Sequence, residues 1–159
     1  MSFRGGYLTS RETEIWSLRR RTPNQSEIAR TLGVTRQAVH ISLGIITGKM
    51  EQTFQECLDT NNLRPRRINL VEGVMEAYSP AYQLPVIVSL SVANGLRVWY
   101  LYEGRCGRCD LERGCRRALL GEARERGVEL GPEEMRLEPT RLAHRIFSRY
   151  LTEEHNVDR

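Results

Sequence analysis

The sequence predicts an α+β protein, with a helical N-terminal part, a small antiparallel β-sheet, and a cysteine-rich loop followed by two helices. Residues 8–43 repeat helix-capping residues ahead of apolar residues spaced three and four apart. Residues 67–102 are rich in Val, Ile and Tyr, as strands are. Cysteines cluster in residues 106–115. These patterns divide the chain into residues 1–48, a linker helix over 49–63, and a C-terminal domain over 64–159.

Two short helices open the chain, each marked by a capping-box spacing. Thr9 with Glu12 begins the first helix, and Asn24 with Glu27 begins the second. The first helix should end before Pro23, because the residue preceding a proline avoids the helical region.

A tight turn then separates the second helix from a third. Gly33 suits a left-handed turn, and Thr35 can cap the helix that follows. Ala29 is small where the two helices must cross, and Val39 points back to the core. This arrangement predicts a helix-turn-helix, whose last helix enters the major groove of DNA.

The exposed residues at the start of the third helix are the candidate DNA contacts. Arg36 can bond guanine and Gln37 can bond adenine, each through two hydrogen bonds. His40 lies on the same face, while Thr35 and Ser42 suit phosphate oxygens.

Positive charge is concentrated in the N-terminal part. The whole chain carries a net charge of +4. Residues 1–50 hold eight basic side chains, Arg4 among them, and three acidic ones, as phosphate neutralisation requires. Arg19, Arg20 and Arg21 end the first helix, where they can clamp a phosphate or simply complement the helix dipole.

Residues 7–60 resemble three helix-turn-helix families. The segment is most similar to archaeal Tfx-type DNA-binding proteins. The similarity lies in its opening, Leu8-Thr-Ser-Arg-Glu-Thr-Glu-Ile, and in its core, Glu27-Ile-Ala-Arg-Thr-Leu-Gly-Val-Thr-Arg-Gln-Ala-Val. The segment also resembles LuxR-type response regulators and region 4 of bacterial sigma factors. The resemblance implies a transcription regulator that binds double-stranded DNA.

An amphipathic helix is predicted from about residue 44 to 61. It could cover the next domain or pack against a second copy of the chain, and a homodimer is expected because two half-sites multiply affinity. Its apolar stripe comprises Leu43, Ile46, Met50, Phe54, Cys57 and Leu58.

Three or four antiparallel strands should follow. Residues 67–78, 84–92 and 96–102 have strand composition, and Asn94-Gly95 is a hairpin signal. Val86, Val88, Leu90 and Val92 should share one face of this sheet, continued by Val98 and Tyr100. Helices are expected over residues 116–126 and, after Pro139, to about residue 151.

Cys106, Cys109 and Cys115 form a C-x2-C-x5-C pattern between a strand and a helix. Cytosolic thiols stay reduced, so a metal site explains the cluster better than a disulfide does. Structural zinc usually shows a second cysteine or histidine pair, whereas iron–sulfur clusters accept a remote last thiolate. The adjacent arginines would stabilise bound thiolates; they are Arg105, Arg108, Arg113, Arg116 and Arg117.

The cysteine spacing is similar to that of the iron–sulfur fumarate–nitrate-reduction regulators and of endonuclease III-type repair enzymes. That similarity implies a [4Fe-4S] cluster, with Zn2+ as the alternative. Cys57 is either the fourth ligand or a small core residue. Asp110, His144, His155 or a non-protein group could instead complete the site.

The sequence therefore predicts a cytoplasmic regulator whose C-terminal domain senses redox state, oxygen or iron. A protein-interaction adaptor with structural zinc and a small-molecule-responsive repressor are the alternatives. No signal peptide or membrane span is apparent, and an enzyme is not expected, because no catalytic constellation stands at a useful spacing.

Overall fold

A computed structural model describes residues 8–152, and it has the expected α+β organisation. A four-stranded antiparallel sheet in the order β1-β2-β3-β4 lies between two groups of helices. None of the helices in residues 8–152 combines the length and hydrophobicity needed to cross a membrane. The helices are α1 (Ser10–Arg21), α2 (Gln25–Leu32), α3 (Arg36–Asn61), α4 (Glu112–Glu125) and α5 (Pro139–Phe147), and the strands are β1 (Arg64–Asn69), β2 (Val74–Ser79), β3 (Leu84–Ser91) and β4 (Gly95–Tyr100).

The predicted caps set the first helix boundaries. Thr9 and Glu12 form the full capping box, with the Thr9 backbone N–H donating to Glu12 at 2.9 Å. Asn24 accepts from the second and third N–H groups of α2. Glu27 does not complete a second box, because its carboxylate instead accepts the Thr22 hydroxyl at 3.1 Å.

The third helix and the predicted linker helix are one continuous helix. α3 runs without a break for 26 residues and ends at Asn62, which adopts a left-handed conformation. Gly44 and Gly48 lie inside it. The candidate DNA contacts and the predicted linker therefore belong to one uninterrupted helix.

The apolar stripe of α3 packs on the sheet. Met50 and Phe54 are each 1% exposed and share a core with Trp16 of α1 and with the β2 and β3 residues Met75 and Val88. The expected alternative, in which this stripe binds a second copy, is wrong for the described chain, because the stripe is buried within it.

The sheet is a meander in which each strand pairs with the next. Of the three or four strands expected, the sheet has four, because residues 67–78 lie within the β1–β2 hairpin. Pro65 is tolerated because β1 is an edge strand. The β3–β4 turn contains three residues rather than two, since Ser91 pairs with Gly95. Gly95 takes the left-handed position that such a turn needs.

The two faces of the sheet carry separate cores. Val86, Val88 and Leu90 face α1 and α3, as the alternation predicts. Ile87 and Trp99 face α4 and α5, whose apolar sides complete the second core. α4 begins four residues earlier than expected, and Gly127 follows its end in a left-handed conformation.

Candidate nucleic-acid interface and cysteine loop

A small core fixes α2 against the beginning of α3. Ile28, Ala29 and Val39 are 1%, 5% and 0% exposed and contact one another. Gly33 makes the turn at φ 66°, and the Val34 backbone N–H donates to Ala29 at 3.0 Å. The predicted crossing of two helices through Ala29 is thus the geometry observed.

Most of the predicted contact residues lie on the exposed start of α3. Arg36, Gln37 and His40 are exposed, and Ser42 is half-buried. Thr35 caps the helix, since its hydroxyl oxygen accepts from the Ala38 N–H at 3.1 Å. The Thr35 hydroxyl proton remains able to donate to an anionic oxygen.

Gln25 also lies on this surface, although it was not among the predicted DNA contacts. With Arg36, Gln37 and His40, it lines one shallow depression. With Arg19 and His40, it lines a second depression between α1 and α3. Gln25 is the first residue of α2, so the positive end of that helix faces the same side. Its position directly after the Asn24 cap could have indicated this placement from the sequence, because it puts Gln25 at the start of α2.

The three consecutive arginines of α1 have different environments. Arg19 lies at the depression beside His40, and Arg21 is exposed. Arg20 is 8% exposed, donates to Glu125 of α4 at 2.7 Å and lies 4.0 Å from the centre of the Trp16 ring. Arg20 is therefore engaged within the protein and is not free to bind a DNA phosphate.

Two further basic groups of the N-terminal part are also paired. Arg11 contacts Glu14 at 3.0 Å, and Lys49 contacts Glu12 at 2.8 Å. Arg4 lies outside the described residues. Outside these ion pairs, the positive charge in this part of the described chain comes from the exposed Arg21, Arg30 and Arg36 and from the half-buried Arg19.

The cysteine loop is a compact turn ahead of α4. Cys106 begins a 3-10 turn that returns to Cys109, whose N–H donates to the Cys106 carbonyl at 3.0 Å. The Cys106 thiol lies 3.2 Å from the Thr140 hydroxyl of α5. Burial, followed by the proximity of Cys109 and Cys106, raises the pKa of Cys115. The environment of Cys115 thus does not favour its thiolate form.

Cys57 lies away from these three cysteines. It is 4% exposed in the core between α3 and the sheet, whereas Cys115 packs at the core on the opposite face. Burial raises the pKa of the Cys57 thiol, and Asn61 donates to its sulfur at 3.7 Å. This placement fits the small core residue and does not bring Cys57 to the other thiols.

The residues present do not make a metal site as they stand. Among residues 8–152, no group of three or more His, Cys, Asp or Glu side chains is arranged to hold an ion. His144 lines a cavity with Arg66 and Arg67 rather than with the thiols, and His155 lies outside the described residues. Cys57 and Cys115 lie on opposite faces of the sheet, so the four cysteines cannot ligate one cluster in this arrangement.

The chain matches no family model, no curated protein and no solved structure.

Proposed function

We propose that the chain is a cytoplasmic DNA-binding transcriptional regulator. The observation that carries the proposal is the exposed start of α3, held by a capped helix-turn-helix and presenting Arg36, Gln37 and His40 together. These side chains have the donors and acceptors that read base edges in the major groove. The first turns of a recognition helix are also the part that reaches those edges.

Phosphate contacts would surround this reading face. Three groups flank the base-reading residues: Gln25 at the start of α2, the Thr35 hydroxyl and the half-buried Arg19. Helix starts and arginine side chains bind phosphate oxygens without reading sequence. The arrangement therefore separates groups that set position on DNA from groups that select bases.

The experiment begins with selection of binding sites from a random pool of double-stranded DNA. Arg36→Ala and Gln37→Ala should each weaken binding to the selected site by about 1–3 kcal/mol and relax preference at one base pair. Arg124→Ala is the matched control, because Arg124 is exposed on α4, on the far side of the sheet. Failure to enrich any sequence, together with equal weak binding by all variants, would refute the proposal.

We also propose that the protein binds DNA as a homodimer, because paired half-sites raise affinity and specificity. The α3 stripe that covers the sheet cannot form this interface. Ile41 and Ile45, 63% and 50% exposed on the outer side of α3, leave apolar surface elsewhere on the helix. Light scattering with and without a two-half-site duplex tests the dimer, and a one-to-one complex at saturation would contradict it.

The cysteine loop carries a second proposal, that Cys106, Cys109 and Cys115 hold a [4Fe-4S] cluster, with Zn2+ as the alternative. Its support is the spacing of the three cysteines within ten residues of the sequence, in the loop that leads into α4. A fourth ligand must come from outside this trio. Anaerobically purified protein should contain stoichiometric iron and sulfide, and Cys109→Ser should lose them while Cys57→Ser should not. Stoichiometric zinc would refute the cluster, and absence of both metals would refute the metal site.

A further inference from the structure

A charged cavity of about 450 Å³ lies between α1 and α4, at the end of the sheet where the hairpin turns meet. Arg20 and Arg21 line it from α1, and Glu125 and Arg126 line it from the end of α4. Tyr150 closes another side. Its volume lies within the range of small-molecule sites, roughly 300–1,000 Å³. The cavity therefore has room for a metabolite-sized molecule at the place where α1 meets the sheet turns and α4.

Both carboxylate oxygens of Glu125, one of the acidic residues that line the cavity, already accept hydrogen bonds from the protein. One carboxylate oxygen accepts from Arg20 at 2.7 Å and from the Val92 N–H at 2.9 Å, and the other accepts from the Ala93 N–H at 3.1 Å. Burial alone would raise its pKa, but these hydrogen bonds outweigh burial and lower the pKa of Glu125. Glu125 is therefore an anchored carboxylate with its charge already neutralised.

The guanidinium groups, in contrast, have donors to spare. Nε and Nη1 of Arg20 and Nε of Arg126 are buried with no hydrogen-bond partner within the described chain. The Arg126 side chain is fully buried and donates through its two terminal nitrogens to the backbone oxygens of Glu72 and Leu90. The same nitrogens lie 3.5 Å from a carboxylate oxygen of Glu122 and 3.8 Å from one of Glu72, which also lines the cavity, so only Nε of Arg126 is left without a partner. Arg21 makes no ion pair among the described residues and is exposed at the cavity. Buried charged donors without partners are costly, and such groups usually have a ligand or water to satisfy them.

We propose that this cavity binds a small organic anion through its carboxylate or phosphate oxygens. Arg21 supplies the accessible charge, the unpartnered nitrogens of Arg20 and Arg126 supply further donors, and the Tyr150 hydroxyl supplies a neutral donor. Guanidinium groups bind these oxygens through charge-assisted hydrogen bonds, which are stronger than neutral ones.

The same cavity offers a route for regulation, which depends on the proposed function. Arg20 and Arg21 belong to α1, and α1 packs on both α3 and the sheet. A ligand that draws on Arg20 competes with the 2.7 Å Arg20–Glu125 contact joining α1 to α4. Any difference in ligand affinity between two positions of α1 then appears as a difference in DNA affinity.

The binding test uses the full chain without DNA. Isothermal titration calorimetry with inorganic phosphate and with citrate, at constant ionic strength, should show saturable binding of at least one probe. The probe that binds more tightly identifies phosphate or carboxylate as the preferred group. Arg21→Gln should weaken that binding about tenfold or more, the size expected for a lost hydrogen bond between charged groups.

Two variants keep this test decisive. Tyr150→Phe should also weaken the preferred probe, with unchanged thermal stability, while Arg124→Gln on the exposed side of α4 should bind it like wild type. Heat that does not saturate for either probe, or equal affinity in all variants, would overturn the proposed site. Because this experiment contains no DNA, its failure leaves the DNA-binding proposal standing, and its success does not depend on that proposal.

The regulatory step has its own readout. DNA affinity measured with the bound probe at saturation should differ from that of the free protein in wild type, and the difference should shrink in Arg21→Gln. Unchanged wild-type DNA affinity would refute the regulatory role while leaving the binding site intact.

Discussion

Two regions of the molecule that contain arginine illustrate opposite uses of this side chain. On the reading surface, defined as Gln25, Arg36, Gln37 and His40, the side chains are exposed or half-buried. At the α1–α4 junction, defined as Arg20, Glu125, Arg126 and Glu122, they are 16% exposed or less and engaged with one another. The first region faces solvent, whereas the second joins α1 to α4 through ion pairs and leaves only a few buried guanidinium nitrogens without a partner.

The difference teaches that density of positive charge along the chain does not locate a nucleic-acid surface. Arg20 follows Trp16 by one helical turn, so it shares the buried side of α1 and stacks on the indole ring. Its neighbours Arg19 and Arg21 occupy other sides of the helix. Helical phase, rather than composition, separates the arginines that can meet DNA from the one that cannot.

The largest expected effect comes from removing the buried cation of the junction. In Arg126→Met, Glu122, whose side chain is fully buried, loses its 3.5 Å contact with a guanidinium. Burial already raises the pKa of Glu122. A stranded buried carboxylate costs about 3–5 kcal/mol, which urea denaturation followed by circular dichroism would measure.

A compensating variant identifies the cause of that loss. Arg126→Met combined with Glu122→Leu should recover part of the free energy of unfolding, because the stranded carboxylate is gone. Arg124→Met, also on α4 but exposed, should stay within about 0.5 kcal/mol of wild type. A double variant no more stable than Arg126→Met would show that the lost backbone hydrogen bonds, rather than the charge, dominate.

Two glycines with the same backbone angle offer the next comparison. Gly33 and Gly73 both have φ 66°, so alanine at either costs roughly 1–2 kcal/mol of strain. A Cβ at Gly33 would meet nothing within 4 Å, whereas at Gly73 it would lie 2.9 Å from Cζ2 of Trp16. Overpacking adds about 1–3 kcal/mol, so Gly73→Ala should be the more destabilising in thermal unfolding. Equal losses would mean that Trp16 shifts freely and that the joint between α1 and the sheet is loose.

Adjacent arginines of α1 give a prediction about DNA itself. Arg19→Gln should reduce the slope of log affinity against log salt concentration by about 0.9, the value for one lost phosphate contact on duplex DNA. Arg20→Gln should leave that slope unchanged and lower the unfolding temperature instead, since Arg20 is paired with Glu125. Salt-series binding assays measure the slopes, and a smaller slope for Arg20→Gln would contradict its assignment to the junction.

Local signals predicted much of the fold. The Thr9, Asn24 and Thr35 caps and the Gly33 turn are confirmed, because capping depends on neighbouring residues alone. The continuity of α3 was not predicted: the sequence indicated a third helix followed by an amphipathic linker helix from about residue 44. In the structure the two are one helix, supported by burial against the sheet. The number of strands was left at three or four, because the Gly73 turn of the β1–β2 hairpin lies within a run of strand-forming residues.

The site was predictable where one helix carries it and not where distant elements meet. The start of α3 presents its candidate contacts as the spacing indicated. The positions of Cys57 and Arg20 depend on which face of the sheet each helix covers, and spacing along the chain does not contain that information. The charged cavity between α1 and α4 combines residues more than 100 positions apart and left no sequence signal.

The smallest expected effect concerns the ion pair that ties α1 to α3. Burial would raise the pKa of Glu12, but hydrogen bonds from Lys49 and from the Thr9 N–H outweigh it, so the pKa is lowered. A carboxylate whose pKa falls on folding stabilises the protein above its ordinary pKa, and this stability is lost as pH falls through the lowered value. Glu12→Gln should therefore cost up to about 1 kcal/mol at pH 7, and the difference from wild type should disappear in acid. Glu14→Gln, which alters an exposed pair on the same helix, should show little difference at any pH. If Glu12→Gln still lowers the free energy of unfolding in acid, helix capping, rather than the charge on Glu12, stabilises the start of α1.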